Sequence, residues 1–289
     1  MKKTWKRYGF VILAISPFFI QFLLFQLVPT ISTIVLSFTD WNGMSKPRPI
    51  GLGNYKMMLV DYQFHDALRN TLIYWIVSVI FVISLSLLVA VLLNYKMLRF
   101  RRFFKTAMFL PYVCATIAVG LVFGMLFDEQ AGLINAILSL VGINPVPWLT
   151  SSKFARIPVE MLFIWRLIPW YVLIYLSGLL GIPNDYYEAA TVDGANAFQK
   201  FFRITIPQLS NITFFCVVTV TVDAFRLFNE SYTLSGPGTS NTSLFQLMYE
   251  NAFSLFKMGY GSAIGVVLVV ILLVISFIQF RVRRSLGEL

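Results

Sequence analysis

The chain has 289 residues, of which 58% are hydrophobic and only 12% charged, with a mean hydropathy of +0.75 and a formal net charge of +10. A soluble domain is about 25% charged, and a water-soluble fold of this length could not hide so much apolar surface, so an integral membrane protein is expected. Two cysteines and one histidine leave no disulfide framework and no multi-histidine metal centre.

Crossing a bilayer as a helix takes about 20 apolar residues. Six stretches meet this: residues 10–36, 72–93, 106–127, 157–180, 204–222 and 260–280. None alternates as a barrel strand would. The fold class expected is therefore all-α integral membrane, with six transmembrane helices. The basic tail, residues 1–9, precedes a single six-helix domain over 10–289. The first span carries Pro17, Gln21, Gln26 and Pro29 and is expected to tilt or bend. Its apolar run is too long for a signal peptide, and no small-residue cleavage site ends it.

Orientation follows the basic residues. Lys2, Lys3, Lys6 and Arg7 precede the first span, and Lys96, Arg99, Arg101, Arg102 and Lys105 follow the second. Lys200 and Arg203 follow the fourth, and Arg281, Arg283 and Arg284 follow the sixth. With six spans these segments share one side, so both termini and the 184–203 loop are expected in the cytoplasm. The positive charge thus reads as topology and attraction to anionic headgroups. Without a basic stripe on a soluble module, no nucleic-acid partner is expected. Cys114 and Cys216 fall inside spans as packing residues, and the sequons at Asn211 and Asn241 carry no weight.

No HExxH, GxSxG or P-loop motif is present, so no catalytic residue and no metal ligand is assigned. His65 reads as an interfacial residue of an outer loop, beside Asp66. Charged residues near or within spans are Arg69, Glu160, Arg166, Asp223 and Arg226. Each costs about 2.5–3.5 kcal/mol at depth and so faces protein or a cavity. Glu160 is close enough to the span end to snorkel. Arg166, deeper, fits a structural ion pair, an interfacial anchor or a binding surface rimmed by Trp165, Trp170 and Tyr171. A stand-alone secondary carrier is the competing class. It calls for coupling-ion chemistry and often an inverted repeat, and the chain shows neither a convincing repeat nor a buried acidic pair.

Between the fourth and fifth spans lies EAATVDGANAFQKFFRITIP, residues 188–207. Its charges keep it out of lipid, yet Ala189, Ala190, Phe198, Phe201 and Phe202 are too many apolar residues for an idle loop. Asp185 with Glu188 has capping-box spacing. Gly194 allows a turn, and a second short helix is expected over residues 195–202. Pro207 then sets the angle at which the fifth span begins. Such a helix-turn-helix fits either an interfacial connector or a plug for a soluble partner's groove.

This stretch resembles the EAA loop of ATP-binding-cassette importer permeases: EAA, three residues, Gly, nine residues, then Ile-x-Leu-Pro. Glu188, Ala189, Ala190, Gly194, Ile204 and Pro207 are in register, Ile206 replaces the usual Leu, and Asp193-Gly194-Ala195 matches the DGA variant. FLPYVCATIAVGLVF, FIWRLIPWYVLIYLSGLLGIP and YTLSGPGTSNTSLFQLMYENAFSLFKMGYGSA are similar to segments of the carbohydrate branch, which includes the larger maltose and glycerol-phosphate permease subunits. The SGPG loop is one glycine shorter than that branch's pattern.

The resemblance implies a permease of the bacterial cytoplasmic membrane, not itself an enzyme. Its partners would be a second homologous permease, two ATPase subunits that bind ATP and magnesium, and an external sugar-binding protein. Glu188, Ala189, Ala190, Asp193, Gly194, Phe198, Phe201 and Phe202 would seat on an ATPase. The solute is expected to be a di- or oligosaccharide, with glycerol phosphate as a charged alternative. Its path is placed at Tyr112 and Thr116, taken as four apart on one helical face, and at Trp165, Arg166 and Asp223.

Overall fold

Residues 2–94 and 100–285 are described by the computed structural model. Lys96 and Arg99 of the second-span loop lie outside them. The Cα framework separates into two units, residues 1–61 with 247–269 and residues 62–246 with 270–289.

In the first unit, α1 (Lys2–Phe22) passes through a π-helical turn (Leu23–Leu27) into α2 (Val28–Leu36). The turn closes by Val28 N–H donating to the Leu23 carbonyl, immediately before Pro29. Proline has no N–H to continue the ladder, so the irregularity falls beside it. No residue in this span's apolar window is buried; Phe10 is 84% and Phe25 74% exposed. An apolar surface of that extent requires lipid or another chain against it.

A two-stranded antiparallel pair follows, β1 (Thr39–Asp40) against β2 (Arg48–Pro49), with Thr39 opposite Pro49, and then α3 (Gly53–Val60). Asn54 fixes the hairpin by donating to the Ser37 and Thr39 carbonyls at 2.8 and 2.9 Å. The start of the last helix docks here. Gly259 N–H donates to the Trp41 carbonyl at 3.0 Å, and a Cβ at Gly259 would lie 2.0 Å from the Thr39 carbonyl oxygen. Tyr260 donates to Asp61 at 2.6 Å. The Gly-Tyr pair opening the sixth span is therefore an anchoring device.

The second unit is built on α4 (Tyr62–Asn94) and α8 (Arg156–Leu180). Ser78, Val82, Ser86 and Ala90 recur every four residues along α4, all fully buried. Small residues on one stripe let membrane helices approach closely. Tyr74, Leu162, Phe163, Tyr171 and Tyr175 complete the core with Cys216, Val220 and Ala224 of α12 (Ser210–Phe225). A Cβ at Gly178 would fall 2.1 Å from Ile212, so α8 and α12 meet at glycine.

Among the described residues five helices are long and apolar enough to cross a membrane, or six if one bent pair is counted as a single span. Several expectations need correcting. The third stretch is two helices, α5 (Arg101–Val113) and α6 (Thr116–Leu126), with a 95° bend between them at extended Cys114 and Ala115. Pro111 removes one ladder bond just before the break. Gly120 lets α6 lie against α13 (Asn229–Thr233), because a Cβ there would meet Thr233 at 2.7 Å. The second span begins ten residues early, at Tyr62, so His65, Asp66 and Arg69 are helical and not in a loop. The fifth begins at Ser210 and reaches Thr233, six residues later and eleven further than expected. The last span is α15 (Met258–Ser285).

α7 (Leu133–Leu140) caps a connecting segment in which Asp128 accepts from the backbone N–H groups of Gln130 and Ala131 at 3.0 and 2.8 Å. Those bonds hold its carboxyl below the usual carboxylate range. The SGPG loop leads to α14 (Leu244–Tyr249). Asn241, 1% exposed, holds the loop by donating to the Leu234 and Ala155 carbonyls and accepting from Gly236 N–H. A buried, triply bonded asparagine is a structural clamp and not a glycan acceptor.

Candidate functional site: an exposed arm and a polar cluster between spans

The segment between the fourth and fifth spans forms a self-braced arm. α9 (Asn184–Val192) starts after Pro183, whose φ of −58° and ψ of 136° set the helix boundary. Asp185 lies inside the first turn and makes no cap bond, so the capping box expected at Asp185 and Glu188 is absent. There the Asp185 charge still favours the helix dipole. The capping box sits instead at α10 (Ala197–Lys200): Asn196 accepts from Gln199 N–H, and Gln199 from Asn196 N–H, both at 2.8 Å.

Between the two helices Gly194 has φ +77°. Gly194 N–H donates to the Thr191 carbonyl at 3.1 Å, and Ala195 N–H to the Ala190 carbonyl at 2.8 Å. This pairing is a Schellman termination, which requires the left-handed conformation that glycine adopts without strain. The second helix is shorter than expected, because the chain passes into a π-helical turn (Phe201–Thr205) and then α11 (Ile206–Gln208). Pro207 therefore lies in the arm and not in the span.

Side chains tie the arm together and to the spans. Lys200 donates to the Thr191 hydroxyl at 2.7 Å, and Thr191 to the Tyr187 carbonyl at 2.6 Å. The Tyr187 and Thr205 hydroxyls are bonded at 3.0 Å, and Tyr187 packs on the helix core. The exposed surface includes apolar and acidic side chains. Val192 is 88%, Phe198 71% and Phe202 49% exposed. Phe198 and Phe202 pack with ring centroids 4.5 Å apart and planes tilted by 46°, and Phe201 meets Phe202 edge-on at 5.0 Å. Glu188, Ala189 and Asp193 are exposed, and Ala190 and Phe201 half-buried. Glu188 makes no hydrogen bond or ion pair among the described residues.

The residues assigned to the solute path split into two sets. Tyr112 ends α5 and stacks on Trp170, with centroids 5.3 Å apart and planes 14° apart. Thr116 opens α6 beyond the 95° bend, so the two do not share a helical face. A break of this kind is tolerated within a membrane only where it faces protein or a water-filled cavity. Trp165 meets Phe123 at 5.6 Å and walls an apolar groove of about 630 Å³ with Cys114, Ala118 and Val122.

Arg166 Nε donates to Glu230 Oε1 at 2.8 Å. Asp223 accepts from the Tyr171 hydroxyl at 2.7 Å, with Arg166 and Arg226 in electrostatic reach. Glu160 does not snorkel: it is buried and accepts from Ser78 at 2.7 Å, with its other oxygen unpaired.

Glu230 escaped the sequence reading. It follows Arg226 and Asn229, which resemble a loop, whereas the chain continues there as the short helix α13 at the end of the fifth span. The available signal was Arg166 itself, since a cation at depth demands an acid somewhere. Among the described residues no three potential metal ligands converge.

Comparison with known proteins agrees with this architecture. Residues 83–287 match the family model described as binding-protein-dependent transport system inner membrane component. The chain is 36% identical over 274 residues to the arabinooligosaccharides transport system permease protein AraP of Bacillus subtilis (strain 168), covering 93% of this chain and 87% of that one. It is 32% identical over 275 residues to the trehalose/maltose transport system permease protein MalF of Thermococcus litoralis, covering 94% and 92%. In fold it matches a chain from the crystal structure of a bacterial alginate ABC transporter in complex with alginate pentasaccharide-bound periplasmic protein. That match has a TM-score of 0.87 at 23% identity, covering 100% of this chain and 98% of that one. A family match over most of the chain, joined to full-length relatives above 30% identity, shows that this protein belongs to the inner membrane component family of binding-protein-dependent transport systems.

Proposed function

We propose that the chain is the permease subunit of an ATP-driven importer for a di- or oligosaccharide in a bacterial cytoplasmic membrane. In this reading residues 10–289 form one six-span domain, with both termini and the 184–203 arm in the cytoplasm. A second homologous permease completes the path. Two ATPase subunits bind ATP and magnesium, and an external binding protein delivers the solute.

The observation that carries the reading is the arm. It is rigid within itself, tied to the spans through Tyr187 and Thr205, and presents an uncovered Phe198–Phe202 pair beside an unpaired Glu188. A connector lying in headgroups has no need of a Schellman turn, a capping box and a lysine brace. A lever seated in a soluble partner does, because it must pass displacement to the helices without deforming. Glu188 supplies a charge-assisted bond to a basic residue of the ATPase, worth about 1.5–3 kcal/mol. The phenylalanines fill the partner's cleft.

The solute class follows from relatives such as the arabinooligosaccharide and trehalose/maltose permeases. The Tyr112–Trp170 stack offers aromatic faces to sugar C–H surfaces, and Arg166, Asp223 and Thr116 offer hydrogen bonds. A stand-alone carrier would leave the exposed aromatic face without a purpose.

Affinity purification of the tagged chain from its native membrane tests the assignment. It should bring down an ATPase and a second permease in stoichiometric amounts. Recovery of the chain alone, under conditions that preserve other membrane complexes, rejects it.

A further inference from the structure

We infer that Glu230 sets the charge selectivity of the solute path: by neutralising Arg166, it makes this permease accept uncharged oligosaccharides and refuse acidic ones. The inference rests on the transport reading above and narrows its substrate class.

Arg166 lies ten residues into α8. At 1.5 Å per residue this is about 15 Å from the helix start, the middle of a hydrocarbon core about 30 Å thick. A guanidinium there needs a counter-charge. Were that charge left to the solute, the site would offer a free planar cation, the group that binds carboxylates and phosphates in bidentate fashion. Here the protein supplies it.

The Arg166–Glu230 pair is the one salt bridge found among the described residues, and the Glu230 side chain is only 2% exposed. Glu230 is carried on α13, which is pressed against Gly120 of α6 so closely that a Cβ would meet Thr233 at 2.7 Å. Its charge is committed to Arg166 before any solute arrives.

Arg166 itself keeps 22% of its side chain exposed. Neither of its terminal nitrogens makes a hydrogen bond among the described residues, so their N–H groups remain open to hydroxyl oxygens. Asp223, held by Tyr171 and within reach of Arg166 and Arg226, balances the second base. Two acids and two bases give a site with directed donors and no net charge. One helical turn after Arg166 stands Trp170, stacked on Tyr112. Hydroxyl donors beside an aromatic face suit a neutral sugar. A uronate would have to compete with Glu230 for Arg166 and approach Asp223 at a cost.

The assembled importer in nanodiscs, without its binding protein, is tested by equilibrium binding of radiolabelled arabinotriose, maltotriose and tri-galacturonate. Wild type should bind at least one neutral probe about tenfold or more tighter than tri-galacturonate, the size expected of one charge-assisted bond. Glu230→Gln, which leaves Arg166 uncompensated, should gain about tenfold in tri-galacturonate affinity. The double variant Arg166→Gln/Glu230→Gln is again neutral and should lose that gain. A merely structural role for Glu230 would weaken all three probes together.

Wild type binding tri-galacturonate as well as the neutral probes, or Glu230→Gln showing no gain, or a gain surviving in the double variant, overturns the inference. If Glu230→Gln does not assemble, Arg166→Gln decides the matter: it leaves Glu230 uncompensated and should lower tri-galacturonate affinity about tenfold more than that of the neutral probes, and an equal loss for all three overturns the inference. A chain that purifies without an ATPase refutes the transport reading instead.

Discussion

Substitution at Gly194 isolates the arm's turn from everything else it does. The residue has φ +77°, and a Cβ built on it meets nothing within 4 Å. Gly194→Ala therefore adds no clash, only the cost of a left-handed conformation, about 1–2 kcal/mol. That cost raises the ratio of open to closed turn about 5–30-fold. Asparagine tolerates the region better and should fall between glycine and alanine. Proline is fixed near φ −65° and has no N–H for the Thr191 carbonyl, so Gly194→Pro should abolish the turn and with it uptake, while membrane insertion is kept. Hydrogen exchange reads the effect directly at the Ala195 amide, which is bonded to the Ala190 carbonyl. The exchange rate should rise in the order Gly, Asn, Ala, and sugar uptake per ATP in proteoliposomes should fall in the same order. Equal exchange in Gly, Asn and Ala, or normal uptake with proline, would refute the reasoning.

Glu188→Lys should abolish ATP-driven uptake without lowering the melting temperature of the isolated chain, because Glu188 has no partner among the described residues; uptake and a detergent melt check both halves. Asn241→Ala should destabilise the chain, since each buried group left unpaired among Gly236 N–H and the Leu234 and Ala155 carbonyls costs about 1–3 kcal/mol; a lowered melting temperature, with the arm's exchange unchanged, is the expected result. The turn at Asp128 has a depressed carboxyl, so its contribution is complete above the ordinary carboxylate range and is lost as pH falls through the folded value. Asp128→Asn should flatten that acid limb in amide exchange of Gln130 and Ala131, with both amides exchanging at neutral pH about as fast as in acidified wild type.

Much of the architecture is written in local chemistry. The six apolar stretches needed only the length rule, and Gly194 announced its turn because few other residues accept φ +77°. The errors have physical causes. Asp185 with Glu188 has the same spacing as Asn196 with Gln199, and only the boundary set by Pro183 decides which pair caps. The 106–127 stretch has no charge to interrupt it, and Pro111 alone does not fix a 95° break at Cys114–Ala115; the packing of α6 on α13 at Gly120 is a tertiary fact. Glu230 was lost because span ends were read from hydropathy, which stops at the charged Asp223 and Arg226 although the helical span runs on to Thr233 and buries an acid. Asp223 stands three residues from Arg226, yet it is Tyr171 on another helix that donates to its carboxylate.

The central claim is that the arm over residues 184–203 is seated in a nucleotide-hydrolysing neighbour and moves with it. A photocrosslinking amino acid placed at Phe198 in the native complex tests this most directly. The account predicts a single protein adduct with the ATPase subunit, its yield changing between nucleotide-free and ATP-trapped states. Adducts to lipid alone, or a yield indifferent to nucleotide, would contradict it.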